Sequence, residues 1–533
     1  MTRRPRIPFW LTFGLIVVAL EAMMAFTLWR SAPAGTHWLG GSIQNTSDVA
    51  VYLSYLHQGA DGHFLLSDRF AVEPHAQRFD PVWSTAGLIA RTGIPLILLH
   101  EILRWIFTLV LAWAVFAAAR GLTKTERDAR LGTILVFGGV SSGWLYSVWL
   151  HVFNLWTAKT YAAADVVTEF GIGPVLSGGA HMILSVALLL TSLRLAWRAW
   201  ERTSLKDGIG AAFAAGILAS FHPYFAPTLV IFSIICVLWF RTRITRRIFL
   251  TGLGISMLAA IPSLLIYVPL AFDEVFRTHQ LSANVLPLPP LISSVFVLAP
   301  FIAAFIWMWS SRIRLPSNSE WLIAWILTAA LCILLPFPWT RKYLDGLGCA
   351  LVLLTIPAWL AVRDWILRQK PRILSYTIAT LLLFIACFTP FHIITSQLAW
   401  IGPDPSRQQW FFRSDETFDA WTWISQHTPT DAIILSDDMW INDWTPACTD
   451  RRVWVGHDHE TPDFWNKRAL WNELRTTMDP SRARAILDAT PVTDILLVTT
   501  STQATFPSWL SPDWKIVHRT DRVLILERTL LAR

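Results

Sequence analysis

The chain has 533 residues, 54% of them hydrophobic and only 15% charged, with 30 Trp and a formal net charge of +7. That balance excludes an ordinary soluble globule. The excess of Lys and Arg does not point to nucleic acid, because those residues fall mainly in short gaps between apolar runs, as membrane topology requires.

The first apolar stretch, Phe9 to Trp29, is longer than a secretory h-region and has no small-residue cleavage site close behind it. A retained first helix and signal anchor is expected. Crossing about 30 Å of hydrocarbon takes roughly 20 mostly apolar residues. About eleven such runs are present, near 8–29, 95–119, 131–150, 175–193, 208–222, 224–240, 248–271, 291–310, 321–338, 346–362 and 373–394. The fifth and sixth turn at FHPYF, where Pro223 cannot continue a helix. Glu101 and Arg104, three apart in the second run, suit a local helical ion pair, with substrate binding as the alternative.

Charge sets an expected orientation. With the N-terminus inside, the segments that alternate onto the inner side are MTRRPR, RGLTKTERDAR, RLAWRAWERTSLKDG, RTRITRR, SRIR and RDWILRQKPR, all of them basic. The intervening outer loops are sparsely basic. An odd number of spans then leaves the region from about 395 onward outside. Four cysteines, Cys236, Cys332, Cys349 and Cys387, lie in apolar runs and only Cys448 in a polar region, so no disulfide framework is expected.

Past residue 394 charged helical patterns alternate with short apolar strands. DETFDAWTWISQHTP reads as an amphipathic helix with Asp415 available as its cap, followed by the strand AIILS. RVWVG, DILLVT, WKIVH and RVLILER read as strands, and TPDFWNKRALWNELRTTM and DPSRARAILDAT as helices. The predicted fold class is an α-helical polytopic bundle over 1–394, with an acidic first outer loop at 30–94, and an extracytoplasmic α/β domain over 395–533.

That first loop concentrates Asp48, Asp61, Asp68, Glu73 and Asp80 with His57, His63 and His75. A helix from Asp48 through Leu56 would bring Asp48, Tyr52 and Tyr55, at i, i+4 and i+7, onto one face, a carboxylate beside two aromatic surfaces as in a sugar site. Pro74 fixes the backbone between Glu73 and His75. Solvated acids facing lipid headgroups are the plainer alternative.

A short inner start, one helix, a large acidic first outer loop, a many-helix bundle and a C-terminal outer domain together resemble the GT-C class of integral-membrane glycosyltransferases, which includes protein mannosyltransferases and aminoarabinose transferases. The resemblance implies transfer of a sugar from a polyprenyl-phosphate donor to an acceptor at the outer face of the cell membrane. It also implies an Asp of the first outer loop as base or acceptor orienter, and Asp48 in NTSDVAVYL matches that position best. The paired acidic motif that some members carry in this loop is missing, which leaves a divalent cation optional and no metal ligand assigned. Cations must meet the departing phosphate, and Arg341 with Lys342 in PFPWTRKYLDGLG lies on the outer side, against the bias of the other basic residues. Headgroup anchoring is the alternative for that pair. Tyr52, Tyr55, Glu73 and His75 complete the expected substrate contacts.

Weaker candidates are the second outer loop, with Lys159, Asp165, Glu169 and His181, and His222 at the FHPYF turn. His457, Asp458, His459 and Glu460 in GHDHETPDF are all potential ligands, but contiguous residues in a strand point to opposite faces, so acceptor docking or a structural turn is favoured over metal. Asp437 and Asp438 follow a strand without a nucleotide motif, and no phosphate loop, dinucleotide fingerprint or nucleophile elbow is present. Expected partners are the lipid-linked donor and membrane lipids. The competing class is a non-catalytic multi-pass protein, a transporter or an envelope scaffold; against transport, no repeat of Gly/Pro-broken helices relates two halves of the chain.

Overall fold

The computed structural model describes residues 7–40, 46–75, 77–153, 170–240, 288–316, 318–335, 339–368, 372–386, 410–498 and 513–529, with isolated positions between 254 and 273 and between 388 and 395. The expected span at 248–271, Cys387, and Lys159, Asp165 and Glu169 of the second loop lie outside them.

The chain enters as α1 (Phe9–Arg30), makes β1 (Thr36–Trp38), then α2 (Thr46–Asp61), β2 (Leu65–Leu66), β3 (Arg78–Phe79) and α3 (Pro81–Ala90). The bundle continues with α4 (Leu96–Leu122), α5 (Glu126–Gly138), α6 (Gly143–Val152), α7 (Ile172–Ser177), α8 (Ala180–Arg202), α9 (Leu205–Phe221) and α10 (Ala226–Trp239). After α10 come α11 (Leu291–Ser310), α12 (Glu320–Leu334), α13 (Leu347–Arg368) and α14 (Arg372–Ala386). Among the described residues six helical stretches are long and apolar enough to cross a membrane, with two shorter apolar helices beside them. The chain is a multi-pass membrane protein. The expected run at 131–150 is broken: Gly139 adopts φ 65, which ends α5, and the N–H of Gly143 is taken by Ser141 Oγ at 3.0 Å as α6 begins. Pro223 opens a short 3-10 turn, Pro223–Phe225, that separates α9 from α10, as its missing N–H requires.

One apolar core runs through the bundle, with Leu111 and Val115 of α4, Leu189 of α8, Leu218 of α9, Phe232 of α10 and Leu353 of α13 in contact. Nearer the start of α4, the buried Glu101 and Arg104 pair at 2.8 Å on one face of the helix, the local ion pair that their spacing predicts.

The C-terminal region holds β4 (Phe412–Ser414), α15 (Asp415–His427), β5 (Ile433–Ser436), α16 (Met439–Thr449), β6 (Arg452–Val453), α17 (Phe464–Thr476), α18 (Pro480–Asp488), β7 (Asp494–Val498), β8 (Trp514–Arg519) and β9 (Val523–Arg528). Five strands form a mixed sheet in the order β6-β5-β7-β9-β8, parallel among β6, β5 and β7 and antiparallel across β9. Period-two alternation sends Leu435, Ile495, Leu497, Leu524 and Leu526 to one face, against α17 and α18. Ile434, Leu496, Val523 and Ile525 go to the other, where they join Trp421, Trp444 and the buried side of α2 in a single core. The cap of α15 is Ser414, whose Oγ accepts the N–H of Thr417 at 3.3 Å. Asp415, the expected cap, instead meets His37 at 3.1 Å, because it already lies in the first helical turn.

Straps tie the first loop to this region. Strand β1 pairs antiparallel with β4, Arg69 grips Asp450 through two 2.8 Å bonds, and the Val453 N–H donates to the Arg69 carbonyl at 3.0 Å. The first loop and the C-terminal region are therefore joined by a strand pair, an ion pair and a backbone hydrogen bond.

Candidate active site around Asp48

Helix α2 is fixed on two sides. Against α3 the contact is between glycines: a Cβ on Gly87 would sit 2.6 Å from the Gly59 Cα and from the Leu56 carbonyl. Against α16 the ring Nδ1 of His57 lies 3.0 Å from the Ala447 carbonyl oxygen. The helix begins at Thr46, so Asp48, in its first turn, is half-buried at the end facing the bundle.

Asp48 Oδ1 lies 2.9 Å from Nε2 of His457, a residue 409 positions away and 2% exposed. The turn carrying His457 closes on itself: the Gly456 N–H donates to Thr461 Oγ1 at 3.1 Å and the Thr461 N–H to the His457 carbonyl at 2.9 Å. The His459 N–H lies 3.2 Å from Nδ1 of His457, so the neutral ring carries its proton on Nε2, the nitrogen facing Asp48, and the charged ring keeps that proton. Burial works against a charged Asp48, yet the His457 hydrogen bond and charge, with His181 and Lys342 adding, hold its carboxyl down at about 2. Burial likewise disfavours the His457 imidazolium, and the bond and charge of Asp48 outweigh it, raising His457 to about 9. A second ring proton would have to displace the His459 N–H from Nδ1.

A file of rings leads away from Asp48. Trp83 lies 4.9 Å from Tyr52, Tyr52 stacks on His181 at 4.1 Å, and His181 is 6.2 Å from His222. The file continues from His222 to Tyr224 at 5.4 Å and from Tyr224 to Trp339 at 5.0 Å. Trp339 adjoins the 3-10 turn Thr340–Leu344 that carries Arg341 and Lys342, both half-buried. The charge of Lys342 acts on Asp48 and on Tyr224, which puts this basic turn within electrostatic reach of the first loop. Arg341 shares that turn. Among the described residues Nδ1 of His181, Nδ1 of His222 and the Tyr55 hydroxyl are buried without a hydrogen-bond partner, a costly arrangement that marks a place where a polar ligand would be accepted.

Tyr55 sits on the same face of α2 as Asp48 and Tyr52, as the spacing predicts, but is covered by Arg78, whose guanidinium lies 4.0 Å over its ring. Glu460 acts on the same group: burial, reinforced by Asp68 and opposed by Arg78, raises its carboxyl to about 8. Two carboxyls in one neighbourhood are thereby driven apart, Asp48 ionised and Glu460 protonated at neutral pH.

The other acids of the loop hold it together. Asp68 Oδ1 accepts the Phe70 N–H at 2.8 Å, and Asp80 caps α3 by accepting the Val82 and Trp83 N–H groups at 3.2 Å each. Glu73 pairs with Lys467 of α17 at 2.6 Å. His75 accepts the Asp68 N–H at 3.0 Å on Nε2 and faces the Glu73 carbonyl at 2.8 Å through Nδ1, so both ring nitrogens are used inside the loop. The expected substrate contacts Glu73 and His75 are thus placed in straps, away from the file of rings. Among the described residues no three His, Cys, Asp or Glu side chains gather around a point that would hold a cation. GHDHETPDF is a turn rather than a strand: Asp458 Oδ1 lies 3.9 Å from a ring nitrogen of both His457 and His459, and Nε2 of His457 reaches Asp48.

A separate polar groove of about 830 Å³, lined by His57, Asp61, Arg69, Asp431, Arg451 and Arg452 among others, lies where α2 ends. His57 follows Asp48 by nine residues, half a turn round the helix, so the groove opens on the opposite face. His457, Glu460 and Tyr224 are groups acting on Asp48 that sequence did not single out as its partners. The contact of His457 with Asp48 spans 409 residues, and its local signal was the density of ionisable groups in GHDHETPDF.

No protein-family model matches the chain, and no curated protein matches it. Among solved structures, it is similar to ArnT from Cupriavidus metallidurans bound to undecaprenyl phosphate, at 15% identity over 96% of this chain and 97% of that one, with a TM-score of 0.46. The apo state of the same protein gives 13% identity, 97% and 98% coverage and a TM-score of 0.43. The arabinofuranosyltransferase AftD from Mycobacteria gives 13% identity and a TM-score of 0.47, covering 96% of this chain but 41% of that one. At this level of likeness the chemistry has to be read from this chain's own residues.

Proposed function

We propose that the protein is a glycosyltransferase that moves a sugar from a polyprenyl-phosphate donor to an acceptor hydroxyl at the outer face of the cell membrane, with its N-terminus inside and residues 395–533 outside. The observation that carries the proposal is the convergence of an ionised Asp48, the Lys342 charge and a file of aromatic and imidazole rings on one locality. A sugar presents apolar ring faces and many hydroxyls, so stacked rings with buried polar nitrogens suit it. A lipid phosphate presents an anion at the membrane boundary, which suits Lys342 and Arg341.

In this reaction the acceptor oxygen forms a bond to the anomeric carbon as the bond from that carbon to the phosphate oxygen breaks. The electron pair leaves on the phosphate, where Lys342 and Arg341 stabilise it. The acceptor proton passes to Asp48. Displacement by the acceptor from the face opposite the phosphate would invert the anomeric centre.

The test uses the full-length protein in lipid nanodiscs with undecaprenyl-phosphoryl mannose and undecaprenyl-phosphoryl aminoarabinose as donors and an envelope lipid and glycan extract as acceptor. D48N is expected to lower kcat by about 10²- to 10⁴-fold, with donor binding retained. K342M is expected to raise the donor KM by roughly tenfold, the loss of one charge-assisted contact of about 1.5 kcal/mol. Transfer by D48N at the wild-type rate would remove Asp48 from the chemistry.

A further inference from the structure

Both nitrogens of His457 are committed, one to Asp48 and one to the backbone N–H of His459, and its ring packs at 5.8 Å from the buried ring of Phe70. Gly456, just before it, allows the turn to seat: a Cβ there would meet Phe70 Cδ1 at 3.0 Å and the Asn442 carbonyl at 3.2 Å. The turn has no freedom to swing His457 aside while Thr461 closes it. Helix α2, which carries Asp48, is held to the same C-terminal region by His57, Arg69 and Glu73.

We propose that His457 is the positioning residue of the transfer reaction: it ties Asp48 Oδ1 so that Oδ2 alone is presented to the acceptor hydroxyl. This rests on the assignment of Asp48 as the group that receives the acceptor proton. The charged and titratable groups facing Asp48 are His457 and Glu460 from the 456–461 turn, His181 at the head of α8, His222 at the end of α9, Lys342 from the basic turn, Tyr52 from α2 itself and Tyr224. Of these, His457 forms the 2.9 Å hydrogen bond. A carboxylate so stabilised is a weak base toward a resting hydroxyl. It suffices when the acceptor O–H turns acidic, as the new carbon–oxygen bond forms and the phosphate departs, and the proton then has one defined destination, Oδ2.

The experiment titrates Asp48 directly. Full-length protein labelled with ¹³C-aspartate is placed in nanodiscs, and the infrared carboxylate band of Asp48 is isolated by subtracting the D48N spectrum. In wild type that band should persist down to about pH 3, whereas in H457A it should be lost at least about one pH unit higher. H457Q keeps an N–H donor for Oδ1 without a charge and should titrate between the two. In the transfer assay H457A should lose about ten- to a hundredfold in kcat, as misplacement of a reacting group does, with the donor KM within twofold, and H457Q should recover part of the loss. If H457A fails to fold, H457Q alone decides, since its Asp48 band must still move upward. A titration in the His457 variants that superimposes on wild type overturns the proposal. The two readings separate cleanly: wild-type transfer by D48N defeats the function, whereas an inactive D48N beside unaffected His457 variants defeats only the role of His457.

Discussion

Tyr52 is held between His181 and Trp83, with centroids 4.1 and 4.9 Å away, so that its ring forms a wall next to Asp48. If that wall rather than the phenol is what counts, Y52F should keep transfer within about threefold, while Y52A should lose most of it. Y52A should also lower stability by about 3 kcal/mol or more, combining truncation of a core aromatic with the loss of two ring contacts. Transfer assays and thermal melting of both variants check this, and an inactive Y52F would instead make the hydroxyl a participant. At this scale the sequence exposed the residue that starts a helix in an acidic loop, because Asp48, Tyr52 and Tyr55 share a face that helical spacing alone defines. It did not expose His457, whose geometry depends on a fold 409 residues long. Glu73 and His75 had the right chemistry for a sugar site, but Oε1 of Glu73 is taken by Lys467 and both nitrogens of His75 are used by its own loop.

Helices α2 and α3 cross at Gly59 and Gly87, where backbone meets backbone. A single methyl group has nowhere to go, and G87A should cost about 1–3 kcal/mol as overpacking does. Because the displaced helix carries Asp48, the apparent melting temperature and kcat should fall together, whereas a fall in stability with kcat untouched would show that α2 keeps its place. Amphipathic period and alternation made most C-terminal elements legible, since α17, α18, β7 and β9 each bury one face and show it in sequence. Helix α16 was hidden by Pro446 within it and by the run of acids ahead of it. Its N-terminus is in fact marked by Asp438, whose Oδ1 accepts the Trp440 N–H at 2.8 Å.

Across the whole molecule, the C-terminal region and the first loop share one core, and that core buries acids. Burial, opposed by the charge of His457, raises Asp443 of α16 to about 7, and burial raises Glu460 to about 8. An acid whose folded pKa lies above its unfolded value stabilises the fold below the unfolded pKa, near 4, and loses that contribution as pH rises through the folded value. Stability of this region should therefore fall between about pH 4 and pH 8, at about 1.4 kcal/mol per unit of each shift as an upper bound. D443N should flatten the fall, as read by tryptophan fluorescence melting at pH 5, 6.5 and 8; an unchanged slope would exclude Asp443 as its source. Six of the about eleven expected spans match helical stretches long and apolar enough to cross a membrane among the described residues, but the break inside one of them was not legible, because Gly139 ends α5 through a backbone angle that hydropathy does not register.

Strand β1 follows the first helix and pairs with β4, which opens the last part of the chain. A ribosome completes Asp48 long before it has made His457. Nascent chains thus carry the acid without its clasp, and a truncated product from a premature stop would be inserted yet incomplete. The contact between Asp48 and His457 forms only once the C-terminal region has been made and has folded back onto the first loop.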